Sequence, residues 1–278
     1  MKFMRGLLLF FFAAGSGLSV HADHLPLWEL GVGGGMINAP DYRGAKSYTV
    51  FASPFPYGRY RGDKFRVDDG GIRQKLFDTD RLKLDVSLAG NIPVKNENNL
   101  REGMPELDPL GEIGPSLHYR LWPQVRDINH SLWLINPLRA VISSDFSSFQ
   151  YQGWTYAPYV EYYQRWRPSR RVYTLSLAAG PMWASQEYHQ YFYEVLPQQV
   201  TPTRSAYSAE AGYSGSRMTV SFSGISRRAW IALYMRYDNL RGATFADSPL
   251  VETNNYFIGG VVIGWLFVGS DVRASHER

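Results

Sequence analysis

Six histidines are the natural place to look for chemistry in a chain that has no cysteine. His21 and His24 flank an expected N-terminal cleavage point and His276 lies in the tail, which leaves His118, His130 and His189. Ser116 stands two residues from His118, and residues two apart on a strand project from the same face. A serine beside a histidine is the beginning of a hydrolase dyad. Relay chemistry also needs a third group to orient the imidazole, and the sequence offers none beside this pair. Two polar side chains on the wet face of an alternating strand account for the same spacing. The run Gly212-Tyr213-Ser214-Gly215-Ser216 lacks the last glycine of a Gly-x-Ser-x-Gly turn. Gly31-Val32-Gly33-Gly34-Gly35 lacks the third glycine of a dinucleotide loop, and reads as a strand lightened for close packing or bending. Glu97, Glu102, Glu106, Asp108 and Glu112 miss the spacing of a calcium loop and read as a solvated segment. The mixture Tyr57-Gly58-Arg59-Tyr60-Arg61 suits either an anionic headgroup or glycan, or the inner wall of a barrel. Thiol nucleophiles, disulfide scaffolds and cysteine-ligated metals are excluded outright. The expectation is a non-enzymatic protein with no catalytic residues, no cofactor and no metal.

The elements that carry these residues alternate with a period of two. In Arg81–Leu88, Leu82, Leu84, Val86 and Leu88 share one face, and Arg81, Lys83, Asp85 and Ser87 the other. Trp154, Tyr156, Pro158, Val160, Tyr162 and Trp166 repeat the pattern, as do Ile231, Leu233, Met235 and Tyr237. Phe257, Val261, Ile263, Trp265 and Phe267 repeat it near the end. Aromatic residues fall at the ends of these apolar faces with aliphatic ones between, where a lipid-facing strand needs amphipathic rings. About twelve strands are expected, with ten as the alternative: near 28–38, 46–55, 57–67, 70–77, 81–90, 110–121, 131–143, 154–166, 171–184, 206–224, 228–238 and 254–267. Longer loops are expected at 91–109, 122–130, 144–153, 185–205 and 239–253.

Compartment follows from the first residues. Lys2 and Arg5 precede an apolar run from Gly6 to Val20, and Val20-His21-Ala22 supplies small residues for cleavage. That run is short against the roughly 18 to 20 residues of a membrane-spanning helix. Residues 1–22 are therefore expected to be a cleaved signal peptide, and 23–278 one β-barrel domain. Removing Lys2 and Arg5 takes the formal charge from +4 to +2, too little to argue for nucleic acid. Charged residues are only 19% and aromatics 15% of the chain, whereas soluble domains carry about 25% charge. Together with the aromatic-ended strands and the terminal run Gly260–Phe267, this favours an antiparallel transmembrane β-barrel over a soluble sandwich or lipocalin-like barrel.

Pro40-Asp41-Tyr42-Arg43-Gly44, then Pro56-Tyr57-Gly58-Arg59-Tyr60-Arg61-Gly62-Asp63, resemble motifs of the MipA/OmpV family. Arg101-Glu102-Gly103-Met104-Pro105-Glu106-Leu107-Asp108, Gly114-Pro115 and Ala246-Asp247-Ser248-Pro249 continue the resemblance in family order across nearly the whole mature chain. The resemblance implies a Gram-negative outer-membrane barrel. It also implies a scaffold joining a lytic transglycosylase to a murein polymerase, or, as in other members, roles in adhesion and in osmotic or antibiotic response. The family has no established catalytic residues to carry over. Loop or binding candidates are Asp41, Tyr42, Gly44, Tyr60, Arg61, Arg101, Gly103, Met104, Asp108, Asp247, Ser248 and Pro249. The architectural reading stands beside the binding one: Asp41, Tyr42 and Gly44 as a turn, Arg101 and Asp108 as a pair pinning a loop, and Asp247–Pro249 as a proline-fixed turn. Three functions remain open at this point: a scaffold for peptidoglycan enzymes, a channel, and a lipid-modifying enzyme centred on Ser116 and His118.

Overall fold

The computed structural model describes residues 27–61, 65–68, 71–90, 100–123, 129–144, 147–168, 171–226 and 228–272. The expected signal peptide at 1–22, part of the 91–109 loop including Glu97, and the end of the tail lie outside these residues. The helices described include none long and apolar enough to cross a membrane.

Among the described residues, thirteen strands form one antiparallel sheet. They are β1 (Trp28–Pro40), β2 (Tyr48–Arg61), β3 (Phe65–Asp68), β4 (Gly71–Asp78), β5 (Leu82–Gly90), β6 (Leu110–Trp122) and β7 (His130–Ser144), then β8 (Phe149–Tyr156), β9 (Tyr159–Trp166), β10 (Val172–Ala184), β11 (Gly212–Ile225), β12 (Ala229–Asn239) and β13 (Asn255–Gly269). Apart from β8 and β9, each pairs with its neighbours in sequence, and β13 pairs back with β1 from Glu29↔Gly269 to Asn38↔Gly259. β8 and β9 both lie between β7 and β10, so the expected strand at 154–166 is present but broken at Ala157-Pro158. The pairings therefore run round as a barrel-like ring.

Three expected boundaries are corrected. No link falls at 56–57: β2 continues to Arg61 through Pro54 and Pro56, pairing with β1 all the way. Only Tyr60 and Arg61 of β2 pair with β3. Two prolines, which lack an amide donor, fit a strand laddered on one side. The strand expected from 206 begins at Gly212, because Tyr207 bridges Val195 and Ala209 is buried in a cap. The loop at 185–205 contains a helix that the strand pattern does not foresee, α1 (Gln186–Tyr193). Ser185 caps it by accepting from the Tyr188 amide, and Glu187 suits its first turn.

Register assigns the two faces. Leu84 is opposite Phe77 and Leu117, both exposed outward, while Asp85 is opposite the buried Ser116. The outer surface is aliphatic at mid-height, with Val32, Leu117, Met218, Leu233 and Ile263 all exposed. Aromatic residues flank it on both sides: Trp28, Tyr60, Trp122, Trp166 and Phe267 toward the end where β1 begins and β13 finishes, and Tyr48, Phe149, Tyr151 and Phe257 toward the other. Inward positions carry Ser131, Arg139, Glu161, Arg165 and Asp238, all buried.

Candidate functional site

The long connections gather at the end opposite the termini and pack into one buried cluster. Tyr42, Met104, Tyr188, Phe192, Tyr193, Leu240, Phe245 and Leu250 belong to it. α1 packs into this cluster through Tyr188, Phe192 and Tyr193. Tyr193 stacks on Phe245, and its hydroxyl donates to the Arg43 carbonyl at 3.0 Å. Ser248 donates to the Tyr193 carbonyl at 2.8 Å and Tyr42 to the Leu250 carbonyl at 2.8 Å. Arg101 donates to the Phe192 carbonyl at 2.7 Å, tying the 100–109 loop to the end of α1. Tyr191 donates to the Asp108 carbonyl at 3.1 Å. The pin expected from Arg101 and Asp108 thus reaches α1 through backbone carbonyls.

Ten of the twelve sequence candidates belong to this cap. Asp41 accepts from Ser47 and Thr49, closing the turn after β1, and Gly44 supplies a φ of 96° there. Gly103 supplies a φ of 78° beside the buried Met104. Asp247 is exposed at the rim, and Ser248 and Pro249 lie in consecutive turns from Ala243 to Val251. Tyr60 and Arg61 are the exception: they end β2 at the termini side, a full strand length away. Burial governs the ionisation of the cap. It raises the Tyr42 hydroxyl, pushes Tyr191 up to about 12 and holds His189 down at about 4. His189 is fully buried, with Nδ1 donating to the Glu210 carbonyl at 2.6 Å.

A second, smaller apolar cluster lies toward the opposite end. Tyr57 and Trp230 lie parallel, ring centroids 5.3 Å apart, over Val262 and Leu266. A Cβ on Gly33 would meet the Phe55 ring at 2.6 Å, and one on Gly264 the Tyr57 ring at 2.9 Å. The glycine run thus makes room for interior aromatic rings, as the close-packing reading expects.

Between the two clusters the wall carries paired charges. Ser116 Oγ lies 2.9 Å from His118 Nε2, so the dyad candidates do meet. Asp85 Oδ1 supplies a third group, 3.3 Å from the same Nε2. A relay needs serine and carboxylate on opposite ring nitrogens. Here one nitrogen serves both, and Nδ1 is buried without a hydrogen-bond partner. Arg139 bridges Ser87, at 2.7 Å, and Glu112, at 3.6 Å.

The densest charge group was not singled out in the sequence. Asp238 is wholly buried and takes Arg236 Nε at 2.5 Å and Arg43 Nη2 at 3.7 Å. Arg217 is its register partner across β11 and β12. Arg43 also holds Ser214 through Oγ at 2.9 Å and the carbonyl at 2.6 Å, and its Nε donates to Tyr256 at 3.1 Å. The signal was available in part: Arg236 and Asp238 occupy the inward positions of a clean alternation. Arg43, in a loop, and Arg217, in a serine-rich strand, had no pattern to mark them.

A barrel-like antiparallel sheet with apolar residues exposed on one face and charges buried on the other is the inverse of a soluble β fold. The chain belongs to the family described as MltA-interacting protein MipA, whose model matches residues 32–267. No curated protein sequence matches it. Among solved structures, it is similar to a bacterial polysaccharide outer membrane secretin, with 10% identity, a TM-score of 0.39, and coverage of 90% of this chain and 100% of that one.

Proposed function

We propose that this protein is a closed transmembrane barrel of the Gram-negative outer membrane, exported by a cleaved signal peptide. In this reading it acts without catalysis, as a scaffold holding a lytic transglycosylase and a murein polymerase near the membrane. The single observation that carries the membrane assignment is the outward aliphatic belt between two aromatic girdles. A belt of that extent on a soluble monomer would far exceed the few hundred Å² of contiguous apolar surface such proteins expose. The partner comes from the family description, MltA-interacting protein. The end where β1 begins and β13 finishes, with the shorter links, faces the periplasm in this reading, and the capped end faces outward. The packed aromatic clusters at both ends argue against an open bore, and the single-nitrogen geometry of His118 argues against a hydrolase.

Pull-down with the mature protein embedded in membrane tests the scaffold. Enrichment of lytic transglycosylase and murein polymerase over an unrelated barrel is expected, and equal recovery would sink the idea. A steady conductance in planar bilayers would restore the channel reading.

A further inference from the structure

The arginine group inside the ring carries more positive charge than the wall around it neutralises. Arg43, Arg217 and Arg236 surround Asp238, the one carboxylate among the described residues in contact with the group. Of the other inward carboxylates, Glu112 is engaged by Arg139 and Thr155, and Glu161 accepts from Ser176. Three guanidinium groups against one carboxylate leave two net positive charges inside a protein, which is costly unless something offsets them.

The donors are also unevenly used. Arg43 is committed to Tyr256, Ser214 and Met182. Arg236 gives only Nε to Asp238, leaving both terminal nitrogens without an acceptor among the described residues. Arg217 gives Nη2 to the Met182 sulfur at 2.7 Å, a weak acceptor, while its Nε is buried with no partner. Arg236 retains 21% side-chain exposure and Arg43 12%, beside the capped ends of β12 and β13, so neither side chain is sealed from solvent. Guanidinium forks are shaped for two-point contact with tetrahedral oxyanions.

We propose that Arg217 and Arg236, held in place through Asp238 and Arg43, bind a doubly charged tetrahedral oxyanion inside the ring, either inorganic phosphate or a phosphomonoester. Two negative charges balance the surplus, and the unfilled donors supply the hydrogen bonds. The site goes beyond the scaffold reading and does not depend on it, since a barrel that fails to bind cell-wall enzymes still has this interior.

The test is calorimetric titration of the full mature protein, folded in detergent, at constant ionic strength against chloride. The probes are inorganic phosphate and glycerol phosphate. Saturable binding is expected, with R217Q and R236Q each weakening it by about ten- to hundredfold. Binding of inorganic phosphate alone identifies the free ion, and binding of glycerol phosphate identifies a phosphomonoester. R217K keeps the charge but loses the fork, and should bind between wild type and R217Q. In oxyanion-free buffer R217Q should unfold no earlier than wild type, because it removes surplus charge. No saturable heat with either probe, undiminished binding by folded R217Q, or early unfolding of R217Q in oxyanion-free buffer would each overturn the proposal.

Discussion

Tyr193 and Phe245 stack with ring centroids 3.7 Å apart and 6° between their planes, joining the end of α1 to the loop between β12 and β13. Both rings are almost wholly buried. F245A removes one side of that stack and should cost about 3–5 kcal/mol of local stability. The strands pair independently of it, so the loss should appear in the cap. Protease cleavage of the 240–251 loop on intact cells should rise sharply, while the heat-modifiability shift of the barrel persists. Unchanged cleavage would mean the cap is held elsewhere.

His189 makes the cap sensitive to acid. Its ordinary value is 6.5, and burial holds it at about 4. Above pH 6.5 the imidazole is neutral whether folded or unfolded, and no cost arises. As pH falls from 6.5 to 4 the unfolded chain gains a proton that the folded cap resists, so stability declines, by about 3 kcal/mol at the limit. Below pH 4 that decline ends. H189N retains a donor for the Glu210 carbonyl and should flatten this part of the profile. Thermal unfolding of wild type and H189N across that window is the measurement, and parallel profiles would refute it.

Leu233 separates a membrane wall from a wet one. It is 48% exposed on the outer face of β12. On a soluble surface L233R is nearly silent, but near the middle of a bilayer it costs on the order of 2–4 kcal/mol. Reduced insertion into vesicles, read by heat modifiability, is the expected result. The same contrast applies to labelling: Leu84→Cys should resist a membrane-impermeant thiol reagent and react with a lipid-soluble one.

Gly31 and Gly34 differ by one face of β1. A Cβ on Gly31 would collide with the Trp265 carbonyl, whereas one on Gly34 meets nothing within 4 Å. G31A should open the β1–β13 seam and destabilise by about 1–3 kcal/mol. G34A should be neutral or slightly stabilising, because it restricts the unfolded chain. Midpoints from denaturant titration in detergent give both values, and equal midpoints would remove the steric argument.

Much of the strand pattern was legible because it is local. A period-two alternation such as Leu82 to Leu88 states both the element and its two faces within eight residues, and the family motifs are equally local. Which face points outward was not legible, since alternation is the same for a soluble barrel and a membrane one. Exposure decided it: Leu117, opposite Leu84, is exposed, while Ser116, opposite Asp85, is buried.

The cap shows the same limit more strongly. Asp41, Tyr42, Arg101 and Ser248 were marked as loop residues, but their meeting depends on strands that return four separate loops to one end. Nothing within any one loop encodes that meeting. α1 escaped notice because a helix of 8 residues buries its side chains against those distant loops and has little periodic signal of its own. The arginine group is the extreme case: Arg43, Arg217 and Arg236 come from two strands and a loop up to 193 residues apart. By itself the sequence determined an all-β chain of alternating strands with no thiol chemistry. Only the tertiary structure decided what those strands enclose, because hydrogen-bonded register, a long-range property, sets which charges share an interior.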